Sequence, residues 1–196
     1  MAKNAEKETA LYEAVFRLLA RGDKMYSVTV QQIAEEAGIG KGTVYEYFTS
    51  REEIISKAMA YRLRGEADAL SERVDKAEGF EQKLDTLLCF ARDSVQAQAS
   101  GMKVLFASAR TLESPEAVCR HIGDAQVVEQ LRAMIACIVE SGVREGLLRQ
   151  PPSEAYALMA LAGAVFGYAN LQHILPGQDD AALREDARQM VRRALS

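Results

Sequence analysis

Two helix-start signals bracket a short, glycine-interrupted stretch near the beginning of the chain. Thr29 opens the pattern T-x-x-Q with Gln32, and Ser50 opens S-x-x-E with Glu53. Each pattern is a capping box, in which side chains satisfy backbone N–H groups that the first turn of a helix leaves unpaired. Gly38 lies between the boxes and can adopt the left-handed turn that ends a helix. The sequence therefore predicts two short helices, a tight turn between them, and a third helix from Ser50.

The remainder of the chain also predicts helices. Apolar residues recur every three or four positions, as on one face of an α-helix, and β-branched residues are sparse. Besides a first helix that ends near Gly22 and a long fourth helix, the predicted segments are 80–99, 102–112, 124–146, 154–174 and about 179–195. The fold class is predicted to be all-α.

Charge changes along the chain. Residues 1–64 carry 10 Lys and Arg against 9 Asp and Glu, whereas the remainder carries 14 against 19. The net charge of −4 does not exclude DNA binding, because cations focused on one surface are sufficient. The change falls inside the fourth helix, so the predicted domains are 1–64 and 65–196.

Residues 29–48 have the features of a helix-turn-helix. Ala34 and Ala37 are small enough for two helices to cross closely, and Ile39 and Val44 fill the angle between them. The second helix would then enter a major groove of DNA. A helical hairpin that only packs is the alternative for this stretch, and a purely structural dimer is an alternative for the whole chain.

The predicted DNA contacts divide into two kinds. Cations, hydroxyls and a helix N-terminus suit phosphates, which set register without reading sequence; these candidates are Thr29, Lys41, Thr43, Tyr47 and Arg51. The candidates for base edges are Gly42, Tyr45 and Glu46. Glycine allows close approach, tyrosine can contact a thymine methyl, and glutamate can accept from cytosine N4.

This stretch resembles the TetR family of bacterial transcriptional regulators. The resemblance rests on TVQQIAEEAGIGKGTVYEYFTSREEII over residues 29–55 and on a preceding helix that ends LLARG at Gly22. Gly40 departs from the family pattern, in which Ser is usual, and Arg51 stands where Lys is commoner. The resemblance implies an N-terminal three-helix DNA-binding domain, followed by a C-terminal helical domain that binds a ligand and dimerises.

The resemblance implies a homodimeric repressor that a ligand releases from double-stranded DNA. A two-fold dimer predicts a pseudo-palindromic operator, and the cysteine pattern predicts a cytoplasmic location. The candidate pocket residues predict a small apolar or amphipathic effector. The residues allow dimerisation through the helix 154–174, with Ala157, Leu161 and Tyr168 on one face and Gly163 and Gly167 on another. Packing within one chain is the alternative. Residues 155–178 carry no charge, but no flanking basic cluster sets an orientation in a bilayer, so we expect a buried helix and no membrane association.

The candidate pocket residues are apolar or aromatic with few polar groups, which suits such an effector. They are Phe90, Met102, Phe106, Met134, Ile138, Phe166 and His173. Plain core packing is the alternative for each of them.

Several other functions are not expected. The chain has no nucleophile elbow, phosphate loop or HExxH motif, so we expect no enzyme activity and no cofactor. Its two histidines, His121 and His173, have no paired cysteines nearby, so no metal site is predicted. Cys89, Cys119 and Cys137 are widely spaced and predict reduced thiols, with redox sensing left open. The first residues lack the apolar stretch of a signal peptide.

Overall fold

The computed structural model describes residues 2–23, 25–97, 100–101, 125–151 and 153–196. Within these ranges the chain forms eight α-helices and a 3₁₀ helix (Met25–Ser27) but no β-strand, which confirms the predicted all-α fold class. The helices are α1 (Ala2–Ala20), α2 (Val30–Ala37), α3 (Lys41–Tyr47), α4 (Arg51–Lys76), α5 (Gly79–Gln96), α6 (Ala125–Arg144), α7 (Glu154–Ile174) and α8 (Asp180–Ala194). The predicted helix over 102–112 lies outside the described residues.

Local hydrogen bonds fix both ends of α2. The Thr29 hydroxyl accepts from the Gln32 N–H at 3.2 Å, and the Gln32 side chain accepts from the Thr29 N–H at 2.8 Å, as the capping box predicts. Gly38 ends the helix with a left-handed φ of 67°. The Ile39 N–H then bonds the Ala34 carbonyl at 2.9 Å. A helix of 8 residues is marginal in isolation, so these caps and its packing hold it.

The start of α4 departs from the predicted box in one bond. The Ser50 hydroxyl accepts from the Glu53 N–H at 3.1 Å, as predicted. The Glu53 carboxylate accepts from the backbone N–H and the hydroxyl of Thr49, each at 2.7 Å. Thr49 offers this carboxylate two donors, whereas the backbone of Ser50 offers one.

The described residues divide into two compact units. Unit 1 comprises residues up to 65 with 97 and 100–101, and unit 2 comprises 66–96 and 125–196. The division falls within α4, which is continuous from Arg51 to Lys76. The functional domains 1–64 and 65–196 remain a prediction.

Unit 1 has one apolar core beneath α1, α2, α3 and the start of α4. Its largest buried side chains are Leu11, Phe16, Ile33, Phe48, Ile54 and Met59. At the edge of this core, Glu36 of α2 pairs with Arg17 at 2.7 Å and with Arg21 at 2.5 Å. The two guanidinium groups lower the pKa of the Glu36 carboxyl, mainly through the hydrogen bond from Arg17. The pairs hold α2 against α1.

In unit 2, α5 and α8 are joined by a ladder of polar contacts. From one end to the other, the pairs are Glu81 with Arg192, Asp85 with Arg188, Cys89 with Arg184, and Arg92 with Asp180. The partners are three or four residues apart on each helix and run in opposite directions, so the ladder fixes the register of an antiparallel helix pair. The Tyr168 hydroxyl of α7 donates to Asp180 at 2.9 Å, and this bond links α7 to the ladder.

Candidate nucleic-acid interface

The short helix α3 presents polar side chains to solvent. Lys41, Gly42, Tyr45 and Glu46 are exposed, whereas Val44 on the opposite face is fully buried. Tyr45 has 53% of its surface exposed. Lys41 makes no ion pair with any residue that the structure describes. Lys41, Tyr45 and Glu46 therefore share one solvent-facing surface with Gly42.

Glycine leaves space at two points on this surface. A Cβ atom added at Gly42 would have no heavy atom within 4 Å, so an incoming group can approach the backbone there. Gly40 precedes α3 with an extended backbone and makes no side-chain cap, as a glycine in place of serine predicts. The first turn of α3 therefore relies on the anchoring of Val44 and Phe48 in the core.

Two predicted hydroxyl donors lie at the border of this surface. Thr43 and Tyr47 are both half-buried. The Tyr47 hydroxyl donates to Asn4 Oδ1 at 3.1 Å, and Lys7 Nζ lies 5.8 Å from the centre of the Tyr47 ring. No local pattern marks Asn4 and Lys7, because the hydrogen bond joins residues 43 positions apart.

Arg51 is turned toward its own chain. Its guanidinium donates to the carbonyl oxygens of Met25 at 3.2 Å and Val28 at 3.1 Å, and to Glu52 at 2.9 Å. A phosphate would have to compete with these three acceptors for the guanidinium. The predicted phosphate contact of Arg51 stays a prediction. Thr29 is exposed at the start of α2, where its hydroxyl takes part in the capping box.

The predicted pocket residues do not share one environment. Met134 and Ile138 of α6 are buried. Phe90 of α5 is half-buried, with the Arg73 guanidinium 5.8 Å from its ring centre. Phe166 of α7 is 41% exposed. Met102, Phe106 and the side chain of His173 lie outside the described residues, and the pocket remains a prediction.

The two faces of α7 have different environments. Ala157, Leu161 and Tyr168 are buried against other helices of unit 2, so this face packs within the chain. The face with Gly163 and Gly167 is exposed, and large apolar side chains accompany these glycines. They are Tyr156, Met159, Phe166 and Ile174. None of the helices in the described part of the chain has both the length and the apolar character needed to cross a bilayer.

The remaining candidate groups are sparse. Cys89 and Cys137 are half-buried free thiols, and Cys119 lies outside the described residues. Over the ranges that the structure covers, no three His, Cys, Asp or Glu side chains come together as a metal site would require.

These features define a class of protein: a helix-turn-helix with an exposed second helix, joined through a long helix to an all-helical body. Residues 12–58 match the sequence model of the family described as bacterial regulatory proteins, tetR family. A search of curated proteins found no match.

Solved regulators have the same fold across almost the whole chain. A putative transcriptional regulator from Saccharomonospora viridis, in complex with choline, is 16% identical with a TM-score of 0.73 and coverage of 97% of this chain and 98% of that one. FadR from Bacillus subtilis, in complex with stearoyl-CoA, is 14% identical with a TM-score of 0.68 and coverage of 96% and 97%. A TetR transcription regulator from Haloarcula marismortui is 20% identical with a TM-score of 0.67 and coverage of 97% of both chains. The predicted resemblance to the TetR family is confirmed, and with it the N-terminal helix-turn-helix and C-terminal helical body.

Proposed function

We propose that this chain is a cytoplasmic, homodimeric transcriptional regulator that binds a specific operator and represses transcription until a small apolar or amphipathic molecule releases it. The observation that carries the proposal is the surface of α3. A 7-residue helix anchored by a buried Val44 exposes a lysine, a glycine, a tyrosine and a glutamate. An aromatic ring that is 53% exposed, beside a lysine that pairs with no carboxylate among the described residues, is suited to a groove of DNA.

Different residues of α3 contact different parts of the DNA. Lys41 supplies a cation for a phosphate, which sets the register of the helix on the duplex. Tyr45 and Glu46 lie one turn further along and meet base edges. Gly42 lets the backbone approach because nothing stands within 4 Å of its missing side chain.

The exposed face of α7 supports self-association. Met159 is 67% exposed and Phe166 is 41% exposed, on a helix whose residues 155–174 carry no charge. Met190 on α8 is a further exposed apolar residue, at 59%. Several exposed apolar side chains along one uncharged helix are typical of an interaction surface. Two copies related by a two-fold axis would present two α3 helices about 34–36 Å apart, one turn of DNA.

Unit 2 supports the effector part of the proposal. Solved proteins of this fold are described in complex with stearoyl-CoA and with choline, and unit 2 has the apolar side chains Met134 and Ile138 in its interior and a half-buried Phe90. The continuous α4 gives a covalent route to unit 1. Within unit 1, Gly101 lies so close to α4 that a Cβ would come within 3.1 Å of Arg62 and 3.3 Å of Leu63. A coupling free energy of about 1–3 kcal/mol is sufficient for regulation.

The test of DNA binding is selection of bound duplexes from a random library with the full-length protein. We expect enrichment of a pseudo-palindrome whose half-sites are centred one turn apart. The selected site should bind at least about 10³-fold more tightly than scrambled DNA at physiological salt. Enrichment of no sequence over the scrambled control contradicts the proposal.

The effector is tested on that selected duplex. Long-chain acyl-CoA and choline serve as two chemically different probes, and each is scored for a rise in melting temperature and for release of DNA. A probe that raises the melting temperature should weaken DNA binding about fivefold or more. A probe that binds tightly and leaves DNA affinity unchanged contradicts the release mechanism.

A further inference from the structure

Two side chains of α1 lie against the last turn of α3. Asn4 accepts the hydroxyl proton of Tyr47 at 3.1 Å, and Lys7 Nζ lies 5.8 Å from the centre of the same ring. Asn4 and Lys7 are three residues apart, so both project from the same side of α1. The beginning of α1 therefore borders the exposed surface of α3.

At the end of α3, the side chains with N–H groups available to a phosphate are on α1. Phosphate oxygens only accept hydrogen bonds, so a phosphate needs donors. The single hydroxyl proton of Tyr47 is directed at Asn4. The Asn4 amide nitrogen carries two further donors and the Lys7 ammonium three. Asn4 is exposed and Lys7 half-exposed, so solvent reaches both side chains.

Two lysines of unit 1, Lys7 and Lys41, differ from most other described cations of this unit in making no ion pair with a described residue. Most of its described cations have a carboxylate partner: Arg17 and Arg21 with Glu36, Arg51 with Glu52, Lys57 with Glu53, and Arg62 with Glu13. Lys7 and Lys41 make no ion pair with a described residue. Lys41 begins α3, and Lys7 lies beside Tyr47 at its end. Positive charge that no described carboxylate neutralises therefore stands at both ends of the exposed helix.

We propose that the first two turns of α1 form part of the DNA-binding surface. Lys7 contacts a phosphate beside the groove that α3 enters. Asn4 donates from its amide nitrogen to the same backbone, and the hydroxyl of Tyr47 holds Asn4 in place. This inference rests on the proposed function and assigns Tyr47 a supporting role in place of a direct phosphate contact.

The contribution of Lys7 is tested by the salt dependence of binding to the selected duplex. Lys7→Gln should weaken binding about tenfold for all sequences and reduce the slope of log K against log salt by about 0.9 for each phosphate that is no longer neutralised. Lys76→Gln removes a lysine that is paired with Glu72 in unit 2 and serves as the matched control. An unchanged slope in Lys7→Gln overturns the phosphate contact.

The coupling between Asn4 and Tyr47 is tested by a double-mutant cycle. Asn4→Ala and Tyr47→Phe should each weaken binding about threefold to tenfold, and the double variant should be no weaker than the weaker single variant. Additive losses overturn the coupling. Asn4→Asp keeps an acceptor for Tyr47 but replaces the amide donors by negative charge, so it should bind more weakly than Asn4→Ala.

These experiments separate the inference from the proposed function. If wild-type protein selects no duplex, the proposed function fails. If wild type binds, Lys41→Gln lowers the salt slope and Lys7→Gln does not, the proposal for α1 alone is overturned. Melting temperatures of all variants identify any loss of binding that comes from unfolding, and Lys7→Arg should restore the slope.

Discussion

The helices α3 and α7 both expose one face, but the chemistry of the two faces differs. α3 has 7 residues and exposes a lysine, a tyrosine and a glutamate. α7 has 21 residues and exposes Met159, Phe166 and Ile174 around two glycines. A polar surface that bears charged side chains is suited to a hydrated, charged partner, whereas an apolar surface gains by excluding water. The difference agrees with our proposal that α3 binds DNA and that α7 binds a second copy of the chain.

The two units also hold their helices by different means. In unit 1, the short helix α2 depends on a capping box and a left-handed glycine, and α4 begins with a further set of caps. In unit 2, long helices approach closely, and a Cβ on Gly142 would come within 2.6 Å of Leu148 and 2.9 Å of Phe80. Unit 1 is therefore expected to be sensitive to changes in local hydrogen bonds, and unit 2 to changes in volume.

The largest effect is expected at the apolar face of α7. Phe166→Glu places a charge in the proposed interface, where its desolvation is unfavourable. The variant should be monomeric at micromolar concentration, with operator affinity reduced by roughly 100-fold or more because two half-sites are no longer bound together. Sedimentation and a mobility-shift titration measure the two changes.

Leu147→Glu is the control for this change, because Leu147 is an equally exposed apolar residue of unit 2 that lies outside α7. It should remain dimeric. A dimer that survives Phe166→Glu, or dissociates equally in Leu147→Glu, would contradict the role assigned to α7.

At α3 the expected effects are on recognition. Tyr45→Ala should reduce discrimination between the operator and its single-base variants by about 1–3 kcal/mol at the contacted position, because the ring no longer reaches the base. Lys41→Gln should weaken binding to all sequences and lower the salt slope by about 0.9 for each phosphate contact. Titrations against a panel of operator variants at several salt concentrations separate the two patterns. If Tyr45→Ala leaves discrimination unchanged, the assignment of base reading to this ring is wrong.

Gly142 tests the close packing of unit 2. Gly142→Ala should lower the free energy of unfolding by about 1–2 kcal/mol, because overpacking against Leu148 and Phe80 outweighs the gain in helix propensity. Gly65 lies on α4 with no heavy atom within 4 Å of an added Cβ. The same substitution there should raise the free energy of unfolding by up to about 1 kcal/mol. Denaturant titrations that give both variants the same sign would contradict the difference in packing.

The smallest effect is the pH dependence of the cap on α4. Hydrogen bonds from Lys57 first, and then from the backbone and side chain of Thr49, lower the pKa of Glu53 from 4.5 to about 2. The charged form is therefore favoured by folding, and its stabilisation is present above about pH 4.5 and lost as the pH falls toward 2. Glu53→Gln should be less stable than wild type at pH 7, with the difference shrinking over that range.

Glu140→Gln on the exposed surface of α6 is the control for removal of a carboxylate. Its stability is measured over the same pH range, to test whether the removal of any exposed carboxylate has the same effect. A stability difference between wild type and Glu53→Gln that stays constant from pH 7 to pH 3 would contradict the role of the cap.

Local patterns in the sequence were sufficient for the helix-turn-helix. The capping box at Thr29, the left-handed Gly38 and the buried Val44 each follow from residues within a few positions of one another, and so does the exposed set Lys41, Tyr45 and Glu46. Hydrogen bonds and side-chain periodicity within one helix act over such short distances, and the amino-acid sequence alone therefore determines them.

Only the tertiary structure decided which of several equivalent faces or donors is used. Small residues occur on both faces of α7, and packing in unit 2 buries one and exposes the other. Arg51 has the charge of a phosphate ligand, but the carbonyls of Met25 and Val28 approach its guanidinium. The bond between Asn4 and Tyr47 joins α1 to α3 and has no local signature. Such contacts depend on how distant segments pack, which is a property of the whole unit and not of any one stretch of sequence.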